Sequence, residues 1–311
     1  MPICYVKCIF INKQVDIYSL AKLQLLFLLV SCEKVTVGNN TRSDGKVNVC
    51  ISFSDFNYTI EEDTRASDKT LYEAKVDRIA LSVFNDKGSL VFSTSKSSSD
   101  DDFDQITCTI YPGDYTFVVV AHKASTNSEN AAEIISPESA KITTSKFSKT
   151  FAVKQLVTIA ADTSNEVVIE LGKRITSQFQ MVTLDEQPDD VVTCEIIINS
   201  SAALTTDYSF NPTTGFSLDE YQYKVNIDIA ARSIKGKSLG AHCLVNGDKQ
   251  IVDVIVNMKD ASGNIVKSHT FSDVPLMPHR VTKATGYFFN SSTKTSFVID
   301  DNLEEAAIIE F

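Results

Sequence analysis

The residue with the clearest potential for chemistry is Cys32, which ends the sequence Leu-Val-Ser-Cys. A mostly apolar run, residues 23–30, precedes Ser31 and follows a single positive charge at Lys22. This pattern is typical of a bacterial lipoprotein signal. The small side chain of Ser31 lets a signal peptidase reach the backbone, and the thiol of Cys32 can carry a diacylglycerol thioether. The run is too short to span a bilayer, which needs about 20 apolar residues, but it suits a signal peptide.

We therefore predict that the chain is exported, cut before Cys32 and held on a membrane by lipid. Residues 1–31 are the predicted signal peptide, and residues 32–46 are a polar, lipidated tether without an apolar period. Several acyl chains on one cysteine would make the anchoring stable. The leader is long and contains Asp16, so a true start further downstream stays open. The alternative is a buried strand or helix with a chance cysteine.

Composition excludes several classes of protein. The 311 residues carry a net charge of −11, and residues 1–31, with three lysines and one aspartate, contribute +2, so the mature chain carries −13. An acidic chain repels phosphate backbones, which argues against nucleic acid as a partner. The hydrophobic content of 43% is ample for packed cores.

Four cysteines follow the lipidation site: Cys50, Cys108, Cys194 and Cys243. No pair has the spacing of a zinc or thioredoxin-like motif. Disulfides are permitted outside the cytoplasm, and pairing the first two and the last two would give each domain one bridge. The favoured alternative is four buried thiols that act as small hydrophobic groups.

The remaining polar residues do not form a recognisable catalytic pattern. The four histidines are scattered along the chain: His122, His242, His269 and His279. The sequence contains no nucleophile elbow, metal-binding histidine pair or glycine-rich phosphate loop. Adjacent acids such as Asp189 and Asp190 would point to opposite faces of a strand, and solvated turns explain them better. We predict a protein that is not an enzyme and needs neither metal nor cofactor.

The elements that would position any site are short strands separated by turn residues. Residues 47–53 alternate apolar and polar side chains and predict a half-buried strand, and residues 76–84 lead into the hairpin signal at 85–88. Residues 115–121 are nearly all apolar and predict a central strand covered on both faces. Residues 93–104 are rich in Ser and Asp and predict a loop, and residues 125–149 have room for a short helix. The strand pattern restarts after Gly172. The sequence therefore predicts an all-β protein with two tandem β-sandwich domains, residues 47–172 and 173–311.

The order of these segments resembles that of a known family. After the lipidation signal and the tether come the strand and turn of residues 76–88, the Pro-Gly segment 110–121, the second domain opening with Lys-Arg-Ile at residues 173–175, and the closing segments 274–289 and 297–301. This arrangement is similar to the fimbrillin-type lipoproteins of type V fimbriae, the FimA/FimB class.

The resemblance implies two transthyretin-like β-sandwiches, export to the outer membrane through lipid on Cys32, and other fimbrial subunits as partners by strand exchange. Stalk subunits of that class are trimmed by an arginine-specific protease before the first strand, whereas anchor subunits keep their lipid. Arg42 lies where such a cut would fall, and Arg65 is a second candidate. The brief segment after Ile299 favours an anchor or minor subunit of an adhesive surface filament.

A second hypothesis is a monomeric cell-surface lipoprotein that binds glycans. Its contacts would come from four loop aromatics: Tyr208, Phe210, Tyr221 and Tyr223. The alternative role for these residues is to pack a loop onto the second sandwich. The sequence does not indicate a surface receptor.

Overall fold

The fold is built from β-strands, in agreement with the predicted class. The computed structural model describes residues 45–54, 76–161, 164–172, 174–230, 232–290 and 298–304. Within these ranges there are 18 strands and no helix, and accordingly no helix that is long and apolar enough to cross a membrane. Cys32, Arg42 and Arg65 lie outside the described residues, so their predicted roles stay predictions.

The strands run as follows: β1 (Val47–Ser54), β2 (Arg78–Asn85), β3 (Leu90–Ser97), β4 (Gln105–Ile110), β5 (Gly113–His122), β6 (Glu133–Ser136), β7 (Ser139–Thr143), β8 (Thr150–Ile159), β9 (Asn165–Glu170), β10 (Ser177–Thr183), β11 (Thr193–Ile198), β12 (Asp207–Phe210), β13 (Tyr223–Asp228), β14 (Ser238–Cys243), β15 (Gln250–Lys259), β16 (Ile265–Leu276), β17 (Arg280–Gly286) and β18 (Val298–Glu304).

The N-terminal sandwich consists of two sheets with strand orders β4-β1-β9 and β3-β2-β5-β8. Ile51 on β1 and Ile169 on β9 bury against Leu81 on β2 and Phe117 on β5, so the inner faces of both sheets form one core. β5 is apolar on both of its faces, and residues 117–121 are all inaccessible to solvent. That burial agrees with the central strand predicted from its nearly unbroken apolar run.

The C-terminal sandwich has the sheet orders β14-β10-β17-β18 and β13-β11-β15-β16. Phe179 and Met181 on β10 pack into a core with Ile196 on β11 and Val254 on β15. Alternate residues of each strand face this core, as the period of two requires.

The two sandwiches share one strand topology. β1 pairs antiparallel with β4 and parallel with β9, and β10 pairs in the same way with β14 and β17. In the second sheets, the antiparallel chain β3-β2-β5-β8 corresponds to β13-β11-β15-β16. Seven strands of each sandwich therefore match one to one. β18, which pairs antiparallel with β17, has no counterpart among the described strands of the first sandwich.

A small third sheet, ordered β12-β7-β6, joins the two sandwiches. The hairpin β6-β7 comes from the N-terminal half, and Ala140 and Ile142 on β7 are buried in the same core as Phe210 on β12. The helix expected within residues 125–149 is therefore wrong. Alternating burial along β7 reflects an amphipathic strand that finds a partner only after the chain has folded back. The described residues of both sandwiches belong to one compact unit.

The four described cysteines are free thiols. Cys50 lies opposite Thr107 in the β1-β4 ladder, whereas Cys108 lies opposite Val49. Since neighbouring residues of a strand point to opposite faces, Cys50 and Cys108 face away from each other and cannot form the bridge considered from sequence. Cys108, Cys194 and Cys243 are buried, as the alternative predicted, but Cys50 is only half-buried.

Candidate functional site

The candidate site is the outer edge of β9, the last strand of its sheet among the described strands. In the C-terminal sandwich the equivalent strand, β17, pairs along that edge with β18, which also contacts β16. The equivalent position in the N-terminal sandwich lies between β9 and β8. Within the described residues, this position holds no strand. The edge of a sheet presents backbone N–H and C=O groups that can bind a further strand.

The side chains beside this edge are apolar and incompletely covered. Val153 and Val157 on β8 pack against the N-terminal core but remain partly exposed. Between them, the side chain of Gln155 donates a hydrogen bond of 3.5 Å to the carbonyl of Val168 on β9. Val167 is nearly buried at 6% exposure, whereas Val168 points outward and is 57% exposed. The edges of β8 and β9 thus flank a lateral opening lined by Val153, Gln155 and Val157.

Two hydrogen bonds join the start of β9 to the end of β8. The side chain of Asn165, at the start of β9, donates to the carbonyl of Ala160 at 3.1 Å and accepts from the N–H of Ala160 at 3.0 Å. This pairing ties the beginning of β9 to the end of β8. Side chains that bind local backbone in this way are typical of asparagine in turns.

A carboxylate clamps the segment that follows β17. Asp185 accepts the N–H groups of Phe288, Phe289 and Asn290 at 2.9, 2.7 and 2.8 Å, and the hydroxyl of Thr183 donates to it as well. Burial by itself would raise the pKa of Asp185, but these hydrogen bonds together hold it below the ordinary value. Phe288 is buried in the C-terminal core, so the clamp fixes the backbone that follows β17.

The four aromatics proposed as a glycan platform are buried. Tyr208, Phe210 and Tyr223 are at most 2% exposed, and Tyr221 is 8% exposed. Tyr208 packs edge-on against Tyr221 with ring centroids 4.7 Å apart, and burial raises the pKa of Tyr208 to about 12. These rings pack the linking sheet onto the C-terminal sandwich and do not form an exposed surface.

The histidines and acidic residues do not converge on a common site. His122 lies at the end of β5 with Nδ1 3.8 Å from Oε1 of Glu129, whereas His269 packs its ring against Phe271 on β16. Among the residues that the structure describes, no group of three or more histidine, cysteine or acidic side chains is arranged to hold a metal ion.

Sequence reasoning did not find the features that define this site. Asp185 has its three backbone partners more than 100 residues away, and no local spacing announces such a contact. The uncovered edge of β9 is recognised only when each strand of the N-terminal sandwich is compared with its counterpart in the C-terminal sandwich. The restart of the strand pattern after Gly172 was the one available signal of that repeat.

Comparison with known families decides the class of the chain. The family model for fimbrillin-A associated anchor proteins Mfa1 and Mfa2 matches residues 41–231. The chain belongs to this family. It is a fimbrial protein of the anchor and minor-subunit type, with other fimbrial subunits as its partners.

Several solved structures are similar to this fimbrial protein. The fimbrial anchor protein Mfa2 from Porphyromonas gingivalis has 11% identity and a TM-score of 0.47 over 83% of this chain and 97% of that one. A fimbrial assembly protein from Parabacteroides distasonis has 11% identity and a TM-score of 0.42, covering 82% and 95%. The tip fimbrial protein Mfa3 from Porphyromonas gingivalis, truncated at its C-terminus, has 11% identity and a TM-score of 0.39, covering 82% and 99%. A search of curated proteins gave no match.

Proposed function

We propose that this protein is a lipid-anchored fimbrial subunit, an anchor or minor component of an adhesive filament on the outer membrane, which assembles by strand exchange. Acyl chains on Cys32 would hold it in the membrane. The edge of β9 would accept an extended segment from the next subunit. This role is structural and involves no catalysis.

The observation that carries the proposal is the unequal filling of two equivalent sheet edges. β18 covers the edge of β17, whereas no described strand covers the edge of β9. A strand added there would pair its backbone with β9 and place alternate side chains over Val153 and Val157. Recognition by strand addition works in this manner, with backbone hydrogen bonds supplying affinity and side-chain pockets supplying specificity.

The strand-acceptance step can be tested with two adjacent substitutions on β8. Val157→Asp places a charge inside the lateral opening. Leu156→Asp is the control, because Leu156 points to the opposite face of β8 and is 80% exposed. It lies opposite Thr116 in the ladder that β8 forms with β5. We expect the wild type to enter detergent-resistant assemblies with other fimbrial subunits, and Val157→Asp to be excluded from them. Leu156→Asp should leave them intact.

Fimbriae isolated from the native host are separated by denaturing gel electrophoresis without boiling, which shows whether each variant enters the resistant assemblies. Circular dichroism of each purified variant is the folding control. If folded Val157→Asp protein enters the resistant assemblies as well as the wild type does, strand acceptance at this opening is wrong.

The anchor is tested separately, by mass spectrometry of the mature N-terminus and by metabolic labelling with palmitate. An acylated Cys32 as the first residue supports the anchor role, whereas a chain that begins at Ser43 indicates cleavage after Arg42 and a stalk role. Continued palmitate labelling of a Cys32→Ala variant would refute lipidation at this residue.

A further inference from the structure

A cavity of about 310 Å³ lies between the two sandwiches, away from β8 and β9. Residues 123–125, after β5, and residues 146–148, before β8, form one side of it. The other side comes from β10, from β13 with the loop that follows it, and from β14. Its volume is in the range of cavities that bind small ligands, about 300–1,000 Å³.

Two buried amide side chains in this cavity have hydrogen-bonding atoms without partners. Gln178 and Gln180 on β10 are 4% and 5% exposed. Oε1 of Gln178 and Nε2 of Gln180 have no hydrogen-bond partner. A buried polar atom without a partner destabilises the folded protein. The arrangement therefore points to a ligand that satisfies both atoms, by donating to Gln178 and accepting from Gln180.

The local backbone leaves room for these two side chains. They lie two residues apart on one strand and so point to the same face of the sheet. Gly240 on β14 pairs opposite Gln180. A Cβ atom at Gly240 would lie 2.8 Å from the carbonyl oxygen of Phe179, 3.2 Å from Nε2 of Gln178 and 3.2 Å from Cγ of Gln180. Any larger residue at this position would crowd the amides.

The mouth of the cavity is positively charged, although the chain as a whole carries −11. Four basic residues line it, Lys123, Lys146, Arg232 and Lys237, together with one acidic residue, Asp228. No described acidic side chain lies within ion-pair distance of the ammonium groups of Lys123 and Lys146. A cationic mouth above neutral amides favours a ligand that combines a negative charge with uncharged polar groups.

The remaining wall is apolar and rigid. Phe147 and Tyr223 pack edge-on with ring centroids 5.8 Å apart, and the hydroxyl of Tyr223 accepts the N–H of Phe147 at 2.7 Å. Val225 and Leu239 continue this wall. The buried ring pair supports this wall from behind, and Val225 and Leu239 can cover the C–H face of a sugar ring while the amides bind its hydroxyl groups.

We propose that this cavity binds an acidic saccharide. Its hydroxyl groups donate to Gln178 and accept from Gln180, and its carboxylate lies at the mouth near Lys123 and Lys146. A sugar hydroxyl both donates and accepts, whereas a simple carboxylate only accepts and would leave Oε1 of Gln178 without a partner. Saccharide binding in this cavity does not depend on strand exchange, because none of the lining residues belongs to β8 or β9. A failure of the strand-exchange test would therefore leave this proposal standing.

The test is calorimetric titration of the mature protein in detergent with digalacturonate, diglucuronate and N-acetylneuraminate. Neutral digalactose and an acidic hexapeptide serve as comparison probes. We expect at least one acidic saccharide to bind, and to bind more tightly than digalactose. Failure of all three acidic saccharides at millimolar concentration would overturn the proposal, as would equal binding of digalactose or selective binding of the peptide.

Variants assign the binding to this cavity. Gln180→Leu should weaken binding of the acidic saccharide by about tenfold, the effect of one lost hydrogen bond of ordinary strength, while the melting temperature of the free protein stays equal or rises. Lys123→Glu combined with Lys146→Glu should weaken binding of the acidic saccharide and leave digalactose unaffected. The matched controls are Gln105→Leu on β4 and Lys87→Glu in the β2-β3 turn, both at exposed positions. Unchanged binding in folded Gln180→Leu protein would place the ligand elsewhere and refute the assignment.

Discussion

Asp185 accepts a hydrogen bond from the backbone N–H of Phe288 at 2.9 Å, across 103 residues of sequence. The contact joins the end of β10 to the segment that follows β17. Two further N–H groups, those of Phe289 and Asn290, donate to the same carboxylate. One half-buried carboxylate therefore holds the backbone that follows β17.

Replacing this carboxylate by an amide should destabilise the C-terminal sandwich. In Asp185→Asn, an NH₂ group would face backbone N–H donors, and we expect the free energy of unfolding to fall by about 2 kcal/mol, the scale of lost hydrogen bonds to a charged group. Asp189→Asn, in an exposed turn, is the matched control and should change stability little. Urea unfolding at neutral pH measures both, and equal stabilities for the two variants would contradict the clamp.

The same carboxylate should make stability depend on acid pH. The pKa of Asp185 in the folded protein lies below its ordinary value, which for an unfolded aspartate is about 3.9. Its contribution is therefore fully present above about pH 3.9 and is lost as the pH falls through the lowered folded value. Urea unfolding between pH 6 and the acid limit should show the wild type converging on Asp185→Asn. A constant difference down to the lowest pH would show that the charge of Asp185 does not contribute.

His122 should produce a second pH effect, in a higher range. Burial lowers its pKa, and the nearby carboxylates of Glu129 and Asp77 oppose this only in part. The unfolded chain then binds more protons than the folded chain below about pH 6.5, the ordinary histidine value. Stability must therefore fall as the pH drops from about 7.5 through 6.5. In His122→Asn the slope of unfolding free energy against pH should be shallower. The part that remains includes His269, whose pKa burial also lowers. An unchanged slope would exclude His122 as a source.

Much of the fold follows from local pattern. The alternation of β1 predicted a half-buried strand, and the nearly unbroken apolar run of β5 predicted a strand covered on both faces, because side-chain period and burial are linked directly. The Asn85–Gly88 turn likewise predicted the hairpin of β2 and β3. β3 nevertheless continues to Ser97, through serines that had suggested a loop. Backbone hydrogen bonds to β2 hold this segment as a strand, and the serine-rich sequence does not predict such pairing.

The parts that sequence could not provide depend on distant partners. The hairpin β6-β7 forms because β12, more than 60 residues later, completes its sheet. Gln178 and Gln180 could not be recognised as a pair from the sequence. They matter because Oε1 of Gln178 and Nε2 of Gln180 lack hydrogen-bond partners, in a cavity that the N-terminal sandwich closes. Non-local pairing of this kind is decided by tertiary packing and not by propensity.

The cysteines should differ sharply in reactivity. Burial raises the pKa of Cys108 to about 11 and those of Cys194 and Cys243 to about 12, so these thiols carry almost no thiolate at pH 8. Cys50 is half-buried. In the folded mature protein, a disulfide reagent at pH 8 should label Cys50 first, and the other three should react only on unfolding. Peptide mass spectrometry identifies the labelled sites, and Cys50→Ser should abolish the fast phase. Rapid native labelling of Cys194 or Cys243 would contradict their burial.

Tyr221 should contribute more stability through its hydroxyl than the neighbouring Tyr208. The Tyr221 hydroxyl donates to the carbonyl of Leu244 at 2.8 Å and accepts the N–H of Leu244 at 2.6 Å, so Tyr221→Phe leaves two buried backbone groups without partners. We expect a loss of about 3 kcal/mol. The Tyr208 hydroxyl donates only to the carbonyl of Thr205, and Tyr208→Phe should cost about 1 kcal/mol. Both substitutions keep the ring in the same aromatic cluster, so packing is matched between them. Urea unfolding of the two variants measures the difference, and equal losses would show that the double hydrogen bond to Leu244 adds nothing beyond a single one.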